Sequence, residues 1–167
     1  HKAKIIICDL NAYTYKNIMN HHLLLIIHLM SATVWVGGHL ILVVSYLPRA
    51  IKEKNQNYIL NYEKKYEPIG MLSLILLVLS GILMAYKYGV TIEHWFEFAT
   101  PIEKVVSTKL LLLFATLLFA LSAQFKVLPK LNNNIKYLPE MALHILCVTI
   151  IGISMLILGS FVRFGGY

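Results

Sequence analysis

Charge is scarce in this chain, and the longest stretches have almost none. Of its 167 residues, 14% are Asp, Glu, Lys or Arg and 58% are hydrophobic, with a mean hydropathy of +0.68. A soluble domain carries about 25% charged residues, so an ordinary soluble fold is excluded. There are two cysteines, Cys8 and Cys147, and Cys147 lies inside an apolar run, so no disulfide framework is expected. No convincing internal repeat and no low-complexity tract is visible. Methionines and cysteines are scattered, without the cluster of soft ligands that a dedicated copper relay needs.

Four apolar runs remain, at about 23–47, 69–86, 105–127 and 141–162. Each is long enough to cross a hydrocarbon core at ~1.5 Å per helical residue. They leave little chain for anything else. The expected fold is all-α: an integral membrane four-helix bundle with short loops, forming one transmembrane domain over residues 19–167. Residues 1–18 read as an N-terminal extension or tail. The chain starts at His1, its short apolar run Ile5–Cys8 is not that of a signal peptide, and Met19 makes a natural start before the first span.

The net charge of +7 would raise nucleic acid as a partner of a soluble protein. Here the basic residues sit in loops, so the partner is the lipid bilayer. Arg49, Lys52, Lys54, Lys64 and Lys65 follow the first span, and Lys130 and Lys136 follow the third. The middle loop balances Glu93, Glu97 and Glu103 against Lys87 and Lys104. Excess Lys and Arg on the cytoplasmic side would place both termini outside, in a multi-pass protein of a bacterial-type inner (plasma) membrane.

The chemistry is concentrated on the first span. His28, Trp35 and His39 are seven and eleven residues apart, which puts them on nearly one helical face, and His21 extends the stripe. Ionisable side chains inside a membrane are costly and face a partner or a cavity. The plain alternative is a histidine that packs on a neighbouring helix and hydrogen-bonds a carbonyl. Gly37 and Gly38 let a helix or a flat ligand approach the backbone. Lys109 lies near the start of the third span and His144 near the start of the fourth. Lys109 reads equally as a lysine snorkelling to the headgroups.

Depth nominates partners. With neighbouring spans antiparallel, His39 and His144 lie toward one membrane surface, and His28 and Lys109 toward the other. His28 and His39 are ~16 Å apart along one helix and cannot share an ion. Two neutral imidazoles would close a low-spin haem centre that passes electrons; a His–Lys pair needs its amine as the free base. The preferred reading is therefore a b-type haem protein, linked to a quinone or a redox partner. Its iron ligands are His39 and His144, with His28 and Lys109 as a second level and Trp35 and Gly38 against the cofactor. Copper held by Cys147 beside His144 is the alternative. A homo-oligomer is compatible with either.

Other positions read more plainly. Tyr86, Tyr88 and Trp95 fit an interfacial aromatic belt, and His94 is expected in solvent. Ser73, Ser80 and Gly81 make a small-residue packing face after a helix start at Pro68. The polar stretch Lys52–Tyr66 is either an interfacial amphipathic helix or an extension of the second span.

The segment His28-Leu-Met-Ser-Ala-Thr-Val-Trp35-Val-Gly37-Gly38 resembles the first helix of the copper-resistance D (CopD) family of membrane proteins. It is also similar to the His-x6-Trp-x-x-Gly pattern of HemJ-type protoporphyrinogen oxidases. Lys109-Leu-Leu-Leu-Leu resembles the Lys-Leu start of a later helix in both, and Lys64-Lys65-Tyr66 to Gly81 looks like their second helix. The HemJ resemblance implies haem b near His28 and Lys109 and six-electron oxidation of protoporphyrinogen; His39 is additional to that pattern. The CopD resemblance implies copper movement across the inner membrane.

Overall fold

The computed structural model describes the backbone of residues 2–166 and the side chains of residues 21–166. The Cys8 side chain and those of the extension expected at residues 1–18 lie outside the described residues. The fold is all-α, and no strand occurs among the described residues. The first rod is α1 (Lys2–Ile41), followed without a break by a π-helical turn (Leu42–Tyr46) and α2 (Leu47–Lys52). The second is α3 (Asn57–Lys87). A short 3-10 turn, Ile92–His94, leads to α4 (Pro101–Ser122), which continues through a π turn (Ala123–Val127) into α5 (Leu128–Asn133). A second 3-10 turn, Ile135–Tyr137, precedes α6 (Leu138–Val162).

Among the described residues, four stretches are long and apolar enough to cross a membrane: His21–Lys52, Asn57–Lys87, Pro101–Asn133 and Ile135–Val162. They exceed the four apolar runs because each helix continues beyond its apolar part. A helix of 31 residues such as α3 is roughly 45 Å long, enough to reach through both headgroup layers. Leu23, Met30, Val44, Leu72, Phe114, Leu118, Phe125 and Ile150 all point outward, as side chains facing lipid tails do.

The second helix does not begin after Pro68. It begins at Asn57 and runs through the proline, so the polar stretch after Asn57 is an extension of the span. Ile59 is fully buried there, and the Tyr62 hydroxyl donates to the Gly38 carbonyl of α1 at 2.7 Å. These contacts hold the polar stretch against the bundle.

Both π turns have the same local cause. Pro48 and Pro129 follow them at the first turn of α2 and α5. A proline has no N–H and its ring crowds the carbonyl four residues back; a widened turn relieves the crowding without breaking the rod. α4 starts more sharply. Thr100 Oγ1 accepts from the Glu103 amide at 3.2 Å, and the Glu103 carboxylate accepts from the Thr100 and Ala99 amides at 3.1 and 3.0 Å. This is a reciprocal cap with Pro101 just inside it.

Close packing joins α1 to α3, α4 to α6, and α1 to α6, while α3 and α4 are not closely packed. The core is uneven along the bundle. Around the two prolines, Leu42, Ala50, Ile59, Val127 and Leu131 are at most 1% exposed and form one tight cluster. Farther along, only Trp35, Val36, Leu74 and Val148 make a small second cluster. Beyond Trp35 the bundle is hollow.

Candidate functional site

The hollow is a cavity of about 850 Å³ between α1, α3, α4 and α6, with a predominantly apolar wall. Its size falls in the range of small-molecule and cofactor sites, about 300–1,000 Å³. His28 from α1 and Lys109 from α4 both line it, as do Trp35 at its inner end and Arg163 at the outer. No Asp or Glu does.

Helix register fixes the levels. Gly152 of α6 lies against Trp35 and Val36, and a methyl added there would be 3.1 Å from Trp35 Cζ3. Seven residues along α6, Gly159 lies against the Lys109 ammonium end, where an added methyl would be 3.1 Å from Nζ. Seven residues back along α1 from Trp35 is His28. Equal steps of ~10 Å from one shared contact put His28 and Lys109 at one level, on two helices that are not closely packed on each other. A second glycine, Gly81 of α3, makes the room for His28, with an added methyl 3.2 Å from Cε1.

The heavy-atom geometry around His28 favours one tautomer. Its Nδ1 is 3.0 Å from Ser80 Oγ. The Ser80 hydroxyl proton is already given to the Leu76 carbonyl at 2.6 Å, with a longer contact to Leu77. The serine oxygen therefore accepts from Nδ1–H, and Nε2 carries the lone pair. This is the arrangement in which a histidine ligates a metal while a neighbour orients it. Lys109 Nζ has no hydrogen-bond or ion-pair partner among the described residues.

Two further polar atoms in this cavity have no partner. Trp95 Nε1 and Thr116 Oγ1 are the buried side-chain polar atoms that lack a hydrogen bond among the described residues, and both residues line the hollow. Leaving a buried donor unpaired costs about 1–3 kcal/mol, so native structures rarely do so without a water, an ion or a ligand. An apolar cavity lined by a histidine, an amine without a partner among the described residues and two orphaned polar groups has room for a mostly apolar molecule with a few polar points.

The other expected ligands are placed differently. His39 donates from Nδ1 to the Trp35 carbonyl at 2.8 Å, packs on Trp35 at 4.7 Å between ring centroids and meets Tyr66 edge-on at 5.7 Å. His144 donates from Nδ1 to the Glu140 carbonyl at 2.9 Å, so its Nε2 accepts from the Ser122 hydroxyl at 3.1 Å. Its ring meets Phe119 edge-on at 5.5 Å. One histidine faces α3 and the other α4. In register His144 lies about one turn, ~6 Å, beyond the level of His39, and neither lines the cavity. Gly38 does not line it either. A methyl at Gly38 would overlap the Tyr66 ring, whose hydroxyl donates to the Trp35 carbonyl at 2.8 Å, so this glycine admits a neighbouring helix.

His94 is hydrogen-bonded through Nδ1 to Thr91 at 2.9 Å, and Cys147 is a half-buried free thiol. No group of three or more His, Cys, Asp or Glu side chains that could hold an ion occurs among the described residues. Sequence reasoning missed Ser80, Gly81, Gly159, Thr116, Trp95 and Arg163 as parts of a site. The pair Ser80-Gly81 was the available signal: a hydroxyl and a gap at one level of a membrane helix, opposite an intramembrane histidine. No protein-family model, no curated protein and no solved structure matches the chain.

Proposed function

We propose that this chain is a membrane-embedded b-type haem protein that carries electrons, with its haem in the cavity between His28 and Lys109. The observation that carries the proposal is the pairing of a histidine held through Nδ1 by Ser80 with an amine that has no partner among the described residues, at one level of one large apolar cavity. His28 would offer Nε2 and Lys109 its uncharged Nζ; Ser80 holds the imidazole in place, and Gly81 and Gly159 keep the space beside each group clear. When bound, the haem would supply one-electron redox chemistry. The apolar wall from Leu25, Val78, Leu110 and Leu113 excludes water from the site. With two protein ligands the centre is closed, which favours electron transfer, in this reading between a quinone and a redox partner in a bacterial-type inner membrane.

His28 and Lys109 are the residues that the HemJ resemblance implies, so oxidation of a porphyrinogen at the same site is the second reading. Copper movement of the CopD type is the third, with no cluster of ligands to support it. Detergent-purified protein separates them. A Soret band with sharp reduced α and β bands is expected, lost in His28→Ala and Lys109→Ala and kept in His39→Ala and His144→Ala. Retention in the first pair and loss in the second would move the haem to the His39 level. A colourless protein that retains copper would overturn the proposal. Turnover of protoporphyrinogen by the coloured protein would favour the oxidase.

A further inference from the structure

Two polar side chains stand at the outer end of the cavity, away from Thr116. They are Trp95, from the loop between α3 and α4, and Arg163, just beyond α6. The loop is pinned at this place, because the Phe96 amide donates to Ser107 Oγ of α4 at 3.2 Å. The tail is pinned too. Gly166, at φ +98, lies directly against the Pro101 backbone, where no larger residue fits. Trp95 Nε1–H is buried without an acceptor, and the Arg163 guanidinium has no acidic or carbonyl partner among the described residues. Arg163 lies four residues beyond Gly159, so it stands about one turn, ~6 Å, outside the Lys109 level.

We infer that Trp95 and Arg163 form a carboxylate-binding station for the propionate groups of the tetrapyrrole. The inference rests on the haem proposal and adds how the molecule is oriented: apolar edge toward Trp35, acidic edge toward the mouth. The chemistry matches on each side. A guanidinium offers a planar fork of donors to a carboxylate, and an indole N–H adds one more donor. A carboxylate at the mouth satisfies an orphaned buried donor and balances a cation in a wall with no acid among its described residues. Lys109, one turn deeper, would remain available to help hold the iron.

The test uses the full chain in detergent, titrated with haem and separately with its dimethyl ester, which keeps the iron and the ring but carries no negative charge. The readout is the Soret change and the apparent Kd. Wild-type protein is expected to bind the diacid about tenfold or more tighter than the diester. In Arg163→Gln and in Trp95→Phe that preference should shrink toward unity, while diester binding stays as in wild type. Arg163→Lys should keep part of it, which separates loss of charge from loss of fold. Equal wild-type binding of the two forms would overturn the inference and leave the haem proposal standing. So would a variant that weakens diacid and diester alike. If wild type binds neither form, the haem proposal falls and takes the station with it. If instead Arg163→Gln alone loses co-purifying anionic phospholipid, the pair is a headgroup site and the inference is wrong.

Discussion

Two serines, each hydrogen-bonded to a different intramembrane histidine, predict opposite results. Ser80 Oγ accepts from His28 Nδ1 at 3.0 Å and is 3% exposed. Ser122 reaches the other ring nitrogen of its histidine, donating to His144 Nε2 at 3.1 Å. Ser80→Ala removes the group that sets the His28 tautomer and ring plane. Loss of such an outer partner costs 10–100-fold in metal affinity. A neutral hydroxyl belongs at the weak end of that range, so about tenfold is expected, ~1.4 kcal/mol. Ser122→Ala frees a lone pair on a histidine that does not line the cavity, and should leave haem affinity within about twofold of wild type. The assay is a haem titration of each purified variant, followed at the Soret band, with helix content checked by circular dichroism. The reasoning is refuted if the order is reversed. Tighter or looser binding in Ser122→Ala with no change in Ser80→Ala would put His144, and not His28, on the iron.

Two predictions concern the scaffold alone. Gly38→Ala should destabilise the bundle by about 1–3 kcal/mol through overpacking, because the added methyl meets the Tyr66 ring. The neighbouring Gly37→Ala, with nothing within 4 Å of its added methyl, should be near silent, and equal melting temperatures for the two in detergent would contradict the packing described. Thr100→Ala removes one half of the α4 cap and should cost about 1 kcal/mol. Thr100→Ser should restore it, and a silent Thr100→Ala in thermal melts would show that the cap adds nothing measurable.

The all-α class and the four spans were legible because apolar runs of this length have one solution in lipid. The level shared by His28 and Lys109 was legible for a related reason: rise per residue is constant, so depth can be counted. What counting cannot supply is the direction around the bundle. His39 and His144 are near each other in depth, yet one turns to Tyr66 and the other to Ser122 and Phe119. Pro68 misled as a start signal because a proline is tolerated inside a helix that its neighbours hold in place. Here buried Ile59 and the hydrogen-bonded Tyr62 anchor the turns before it. Trp95 looked like a belt residue, and Arg163 was not singled out. At the end of a span, a side chain that lines a cavity and one that faces headgroups have the same composition and position.

The stripe on α1 divides its labour along its length. His28 faces the cavity from the side, and Trp35, 6% exposed, closes its inner end. Behind Trp35 stands an aromatic column that continues to the closed half of the bundle. His39 is 4.7 Å from Trp35, Tyr66 is 5.7 Å from His39, Tyr62 is 5.4 Å from Tyr66, and Tyr46 is 4.6 Å from Tyr62. Each aromatic pair contributes about 0.5–1.5 kcal/mol beyond its buried area. The hydroxyls of Tyr62 and Tyr66 and the Nδ1–H of His39 are all tied to carbonyls of α1. A floor held from beneath by such a column cannot tilt without breaking several contacts together, and a ligand site needs that stiffness within about 0.5 Å. On this reading the second histidine of the stripe is the buttress of the site that the first one serves. Removing its ring should loosen the cavity floor and broaden the haem spectrum without removing the haem.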